Sequence, residues 1–220
     1  MNSKRPKALL YVLLLVSVFC WTSLLPLRCT FASEQSLISV VALRLEYKTN
    51  PVGIDISKPR FSWQLQSEQR GTVQTGYQIQ VARSERDLHA SRLVWDSGRV
   101  SSAESIQRVY EGPPLQSSQR YYWHVRVWDG TGQASSWSET AYWEMGLLRL
   151  TDWKASWVEP ELKEDVSQPG TAPMLRGVFK IRGKIKQARA YVTSHGLYEL
   201  HLNGQRVGDQ LFTPGWTSYN

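Results

Sequence analysis

The sequence predicts an all-β protein: an antiparallel β-sandwich, then a second and partial sandwich, both preceded by an N-terminal signal segment. Three observations carry this. Apolar and polar residues alternate with a period of two in run after run. Turn-forming Gly, Asp, Asn, Ser and Pro interrupt these runs every dozen or so positions. The one stretch approaching helical character, Ser84 to Trp95, is long enough only for a short turn between strands.

The chain opens with a leader. Lys4, Arg5 and Lys7 form a positive start, Ala8 to Val18 is almost unbroken apolar sequence, and Thr30-Phe31-Ala32 precedes Ser33 as a small-residue cleavage point. This is the pattern of a secretory signal peptide over residues 1–32, and it predicts a secreted or periplasmic product with no membrane attachment after cleavage. The alternative is an uncleaved anchor helix, because apolar character runs on to Leu25. Both cysteines, Cys20 and Cys29, fall inside the leader, so the processed chain has neither a disulfide nor a cysteine zinc site. The leader also holds Lys4, Arg5, Lys7 and Arg28 and no acid; without these four, 22 basic residues face 19 acidic ones and the formal charge falls from +7 to +3. The remaining basic residues are scattered, which excludes a nucleic-acid-binding patch.

The first sandwich is expected over residues 36–147. "RFSWQLQ" places Phe61, Trp63 and Leu65 on one face. "GYQIQVAR" does the same with Tyr77, Ile79 and Val81, and opposes them with Gln78 and Gln80. Asp96-Ser97-Gly98 marks a turn. "RYYWHVRVWDG" sets Tyr121, Trp123, Val125 and Val127 against Tyr122, His124, Arg126 and Trp128, and "SETAYWEMG" supplies a last strand. Taken together, "YQIQVA", the long "YYWHVRVWDGTGQASSWSE" and the closing "WEMG" resemble a fibronectin type III-like sandwich. Trp137, set between serines, resembles half of the Trp-Ser-any-Trp-Ser box of cytokine receptors. Arg126 and Trp128 are placed to stack beside it as a cation–π ladder that stiffens the sheet surface.

Residues 148–173 change character. Trp153 and Trp157 are followed by a stretch rich in Glu, Pro and Gly, a linker or lead-in loop. Over residues 174–220 "MLRGVFKIR", "IKQARAYVTSHG" and "YELHLNGQRVGD" read as strands. Asn203-Gly204 is a two-residue hairpin signal, because both central positions of a type I′ turn need positive φ. This region of about 50 residues is smaller than domains that usually fold alone, and its strands leave an open edge, so the sequence reads as truncated.

Three blocks then carry a family resemblance: "NPVGIDISKPRFSWQLQSEQRGTVQTGYQIQVA"; "YYWHVRVWDGTGQASSWSETAYWEMGLL" with "DWKASWV"; and "APMLRGVFKI" with "ARAYVTSHGLYELHLNGQRVGDQLFTPGWTSYN". Their order and spacing, over nearly all of residues 37–220, resemble the N-terminal part of a bacterial α-L-rhamnosidase. The resemblance implies β-sandwich domains, the second of them jelly-roll-like, ahead of a catalytic (α/α)6 barrel that is not among these residues. It implies hydrolysis of terminal α-L-rhamnose with inversion by two carboxyls spaced to admit a water. Rhamnose-containing glycans or glycosides are the implied partners. In some members a sandwich of this kind binds L-rhamnose with calcium, so calcium is implied as a cofactor without ligands that can be placed here.

Candidate site residues follow from the chemistry. Glu144, Glu199 and Asp209 are the acids considered for general acid/base work, and each reads better as a solvated strand or turn acid. His195 and His201 lack a metal-ligand spacing and read as surface or interdomain histidines. Asp129-Gly130-Thr131-Gly132 lacks the further acids of a calcium loop and reads as a hairpin turn. For sugar binding, the best local set is Trp216 and Tyr219 as aromatic platforms with Asn203 and Asp209 as hydrogen-bonding groups. Two functions are expected: the exported, non-catalytic beginning of an α-L-rhamnosidase-like glycosidase, or a stand-alone extracellular binding or adhesion module.

Overall fold

The computed structural model describes residues 38–161, 167 and 172–215. The leader with its cleavage point, Trp216 and Tyr219 lie outside the described residues. The chain divides into two compact units, residues 1–155 and 156–220.

The first unit is a two-layer sandwich. Its strands are β1 (Ser39–Leu45), β2 (Val52–Ile54), β3 (Arg60–Gln66), β4 (Gln74–Ala82), β5 (Trp95–Asp96), β6 (Arg108–Val109), β7 (Arg120–Asp129) and β8 (Ala141–Met145). A three-stranded sheet runs β1-β3-β6 and a five-stranded sheet runs β2-β8-β7-β4-β5. All pairings are antiparallel except β2 with β8, which is parallel.

The alternation read from sequence sets the faces. Phe61 and Trp63 of β3, Tyr77, Ile79 and Val81 of β4, and Tyr121, Trp123, Val125 and Val127 of β7 all join one buried cluster. Phe61 is the centre of the layer contact, with its ring 4.7 Å from Trp123 and 5.7 Å from Trp143. Leu65 departs from the expectation: it is 37% exposed, and its cross-strand partner Val40 fills that position of the core instead. The buried Gln74 ties the layers with polar bonds. It accepts from Trp63 Nε1 at 3.1 Å and donates to the carbonyls of Ser102 and Glu104 at 3.0 Å each. At the start of β7 the Tyr121 hydroxyl accepts from the Gln116 backbone amide at 3.0 Å, the corner contact that fixes strand entry in immunoglobulin-like sandwiches.

The short helical turn expected after β4 is α1 (Glu85–His89), capped by Ser84, whose Oγ accepts from the Asp87 amide at 3.1 Å. A 3₁₀ turn, Leu150–Asp152, closes the unit. Asp152 accepts from the Ser117 hydroxyl, and Ser117 Oγ accepts from the Leu148 amide at 3.0 Å, which pins the outgoing chain to the sandwich.

In the second unit the described strands are β9 (His201–Leu202) and β10 (Gln205–Arg206), an antiparallel hairpin, with an isolated bridge between Tyr198 and Thr213. The hairpin turns at Asn203 and Gly204, with φ +51° and +80°, as the turn type requires. The strands expected over Met174 to Arg182 and Ile185 to Gly196 do not form. Alternation gives a segment two faces, but a strand also needs a second strand in register beside it, and no strand ladder includes these segments among the described residues. Their apolar side chains stay exposed, including Met174, Val178 and Phe179.

Candidate functional site

The richest side-chain constellation lies on the outward face of the five-stranded sheet. β4 contributes Gln78 and Gln80; β7 contributes His124, Arg126 and Trp128. The Arg126 guanidinium lies 5.0 Å from the Trp128 ring and 4.7 Å from the Trp137 ring, and Arg99 lies 4.8 Å from Trp128. His124 stacks on Trp137 at 3.9 Å with an interplanar angle of 17°. The expected ladder of Arg126, Trp128 and Trp137 is therefore present, and it is longer than expected by Arg99 and His124.

The serines around Trp137 explain its position. Ser135 Oγ accepts from the Val127 amide at 3.0 Å and Ser138 Oγ accepts from the Val125 amide at 3.1 Å. The Ser135 and Ser138 amides donate back to the Val127 and Val125 carbonyls at 2.8 and 2.9 Å. Serine hydroxyls thus take the place of strand carbonyls along the edge of β7, and Trp137 between them turns onto the ladder.

A polar network underlies it. Asp96 accepts from Gln78 Nε2 at 2.7 and 2.9 Å and from Gln80 Nε2 at 2.8 Å. Gln78 Oε1 accepts from Arg126 Nε at 2.9 Å, and Gln80 Oε1 meets His124 Nε2 at 3.0 Å. Burial works against Asp96 ionising, but the Gln78, Gln80 and Gly98 donors outweigh it and hold its carboxyl below the usual aspartate range. For His124, burial first, then His89 and Arg126, push the imidazole down to about 4, so it is neutral at pH 7.

The acids are placed apart. Glu144 is not the solvated acid that its sequence context implied: it is 1% exposed, because β8 lies between β2 and β7 and its cross-strand partner Arg120 pairs with it at 3.1 Å. Glu199, in the second unit, is exposed and bonded to His201 at 2.6 Å, with Arg206 at 3.5 Å. The His201 hydrogen bond first, then the Arg206 charge, lower its pKa. His195 stacks on Trp157 at 4.3 Å, a contact that nothing in the spacing disclosed. Asn203 and Asp209 are exposed on and after the hairpin; Trp216 and Tyr219, their aromatic partners in the expected sugar site, fall outside the described residues.

The Asp129 loop does not fit calcium. Asp129 Oδ1 is taken by the Thr131 amide and hydroxyl at 2.9 and 2.6 Å and by the Gln133 amide at 3.1 Å, which closes a hairpin turn. Among the described residues no cluster of three or more His, Cys, Asp or Glu is placed to hold a metal. An open cleft of about 480 Å³, lined by Arg83, Asp87, Arg92, Leu93, Val94 and Pro113, holds a single carboxylate, and that one is paired with Arg92 at 2.6 Å.

Comparison with known proteins adds the following. Residues 40–149 match the family model of the Rha78A-like, N-terminal immunoglobulin domain, and residues 183–220 match that of the alpha-L-rhamnosidase N-terminal domain. The chain is similar to an alpha-L-rhamnosidase of Formosa agariphila, 37% identical over 179 residues, covering 77% of this chain and 19% of the relative. The structure of alpha-L-rhamnosidase from Dictyoglumus thermophilum superposes with a TM-score of 0.68 at 34% identity, over 81% of this chain and 22% of that one. That of Streptomyces avermitilis alpha-L-rhamnosidase, complexed with L-rhamnose, gives 0.54 at 43% identity, over 56% and 12%. The chain spans about a fifth of the length of the curated relatives it matches.

Proposed function

Since the chain belongs to the family of Rha78A-like N-terminal immunoglobulin domains and its second matched region is that of α-L-rhamnosidases, we propose that it is the non-catalytic β-sandwich part of a glycosidase of that type. The parent enzyme removes terminal α-L-rhamnose from rhamnose-containing glycans or glycosides, and this part supports the catalytic region. The observation that carries the supporting role is the filled outer face. Trp128 and Trp137, the indoles of that face, are occupied by Arg99, Arg126 and His124 of the protein itself. A further support is the apolar surface of the second unit, where Met174 is 94% and Val178 83% exposed; such a surface calls for more protein to pack on it. Export belongs to the same proposal and rests on the leader pattern of residues 1–32.

A chimera tests this. The matched segment of the Formosa agariphila relative is replaced by the corresponding residues of this chain. Retained hydrolysis of an aryl α-L-rhamnoside is expected. A chimera with the relative's melting temperature and no activity contradicts the supporting role.

A further inference from the structure

Ala82, Leu88 and Trp128 are buried, yet they lie outside the cluster between the two sheets. Ala82 of β4 and Leu88 of α1 mark a small apolar layer on the outward face of the five-stranded sheet, whereas Trp128 lies further along β7, opposite Gly76. α1 packs on β4 and β7 there, with Leu88 as its one buried residue. At five residues α1 is too short to hold helical structure by itself, so its order depends on that seat. His124 belongs to the same layer. It is 4% exposed, its ring is 6.4 Å from His89 of α1 and 3.9 Å from Trp137, and its Nε2 meets Gln80.

We propose that this layer is an acid-operated latch, in which protonation of His124 releases α1 from the sheet while the core between the sheets stays folded. The charges around His124 set the direction. From α1 comes His89, with Glu85 3.9 Å from its Nε2; from β7 itself comes Arg126, two residues on along the same face. From β5 comes Asp96, the one acid acting favourably on His124, already engaged by Gln78, Gln80 and the Gly98 amide. A proton on His124 thus adds positive charge to a buried site beside Arg126 and His89. The Trp137 face returns part of that cost through a cation–π contact, which is the smaller effect. Releasing α1 removes His89 and lets water reach the imidazole. The released form takes up the proton more readily, so opening is favoured as pH falls from 6.5 toward 4. Asp87, which holds Ser84 and Arg92 around α1, has a pKa lowered first by its Ser84 hydrogen bond and then by Arg92, so it titrates below this window.

Amide hydrogen exchange on the full 220-residue chain tests the latch. The reporters are the Leu88, Ala90 and Arg92 amides, bonded to the Ser84, Arg86 and Asp87 carbonyls, against the core amide of Tyr77, bonded to Val100. After correction for intrinsic rates, the α1 protection factors are expected to fall up to about a hundredfold between pH 7 and pH 4. They should remain at least about tenfold below those of the core throughout. The midpoint should coincide with the titration of the His124 imidazole followed by NMR, and His124→Gln should flatten the α1 profile. Coincident protection of α1 and core at every pH overturns the proposal. So does a flat wild-type α1 profile, or an unchanged slope in His124→Gln. If that variant does not fold, the wild-type comparison of α1 with core and with the His124 titration decides alone.

Discussion

Arg126 joins the aromatic and polar parts of the outer face: its guanidinium lies against two indole rings and its Nε donates to Gln78 Oε1. Arg126→Ala should lower stability by about 1–2 kcal/mol, read as a shift of the urea midpoint at unchanged slope. Arg126→Lys should recover less than half of this, because an ammonium lacks the planar face that stacks on indole. Tyr121→Phe leaves the Gln116 amide without its acceptor and should cost about 1–2 kcal/mol in the same assay. Gly112 is constrained by space: a Cβ there would lie 2.4 Å from the Tyr110 hydroxyl and 2.7 Å from Trp95 Cβ. Gly112→Ala should destabilise by about 1–3 kcal/mol, measured by thermal unfolding. The partnership of Arg126, Trp128 and Trp137 was legible because two of the three sit at i, i+2 on a strand and the third sits in a serine-flanked motif. Arg99 and the His124 stack were not legible, since Arg99 reaches Trp128 from a loop and His124 carries no local sign of being covered.

Among the elements, β3, β4, β7 and β8 were legible because each has a long apolar face, and that face is what the core buries. α1 was legible as a short turn from Ser84 and the absence of a longer apolar stripe. β2 was not. It is three residues long and joins the sheet by parallel pairing with β8, to which local alternation is blind. The burial of Glu144 was not legible for a related reason: its partner Arg120 lies on another strand, distant in sequence. In the second unit the hairpin at Asn203-Gly204 was legible from turn chemistry, whereas alternation over Met174 to Arg182 reported a capacity for pairing that the described residues leave unused.

At the scale of the molecule, the sandwich should weaken in mild acid. His124 takes up protons more readily when unfolded, so its contribution is complete above pH 6.5 and is lost as pH falls toward 4. With solvent screening allowed for, lowering the pKa from 6.5 to about 4 corresponds to a loss on the order of 2 kcal/mol. Urea unfolding at pH 7, 6 and 5 should show this decline begin before the carboxylates titrate. Glu46, whose pKa is lowered chiefly by its Arg60 hydrogen bond, adds a further loss below pH 4.5. The central proposal is that the described acids serve structure and that rhamnoside hydrolysis is the work of the proposed parent enzyme. It is tested most directly by incubating the purified chain with p-nitrophenyl α-L-rhamnoside. No turnover above the buffer blank is expected; turnover that copurifies with the folded chain and disappears in Glu144→Gln or Glu199→Gln would contradict it.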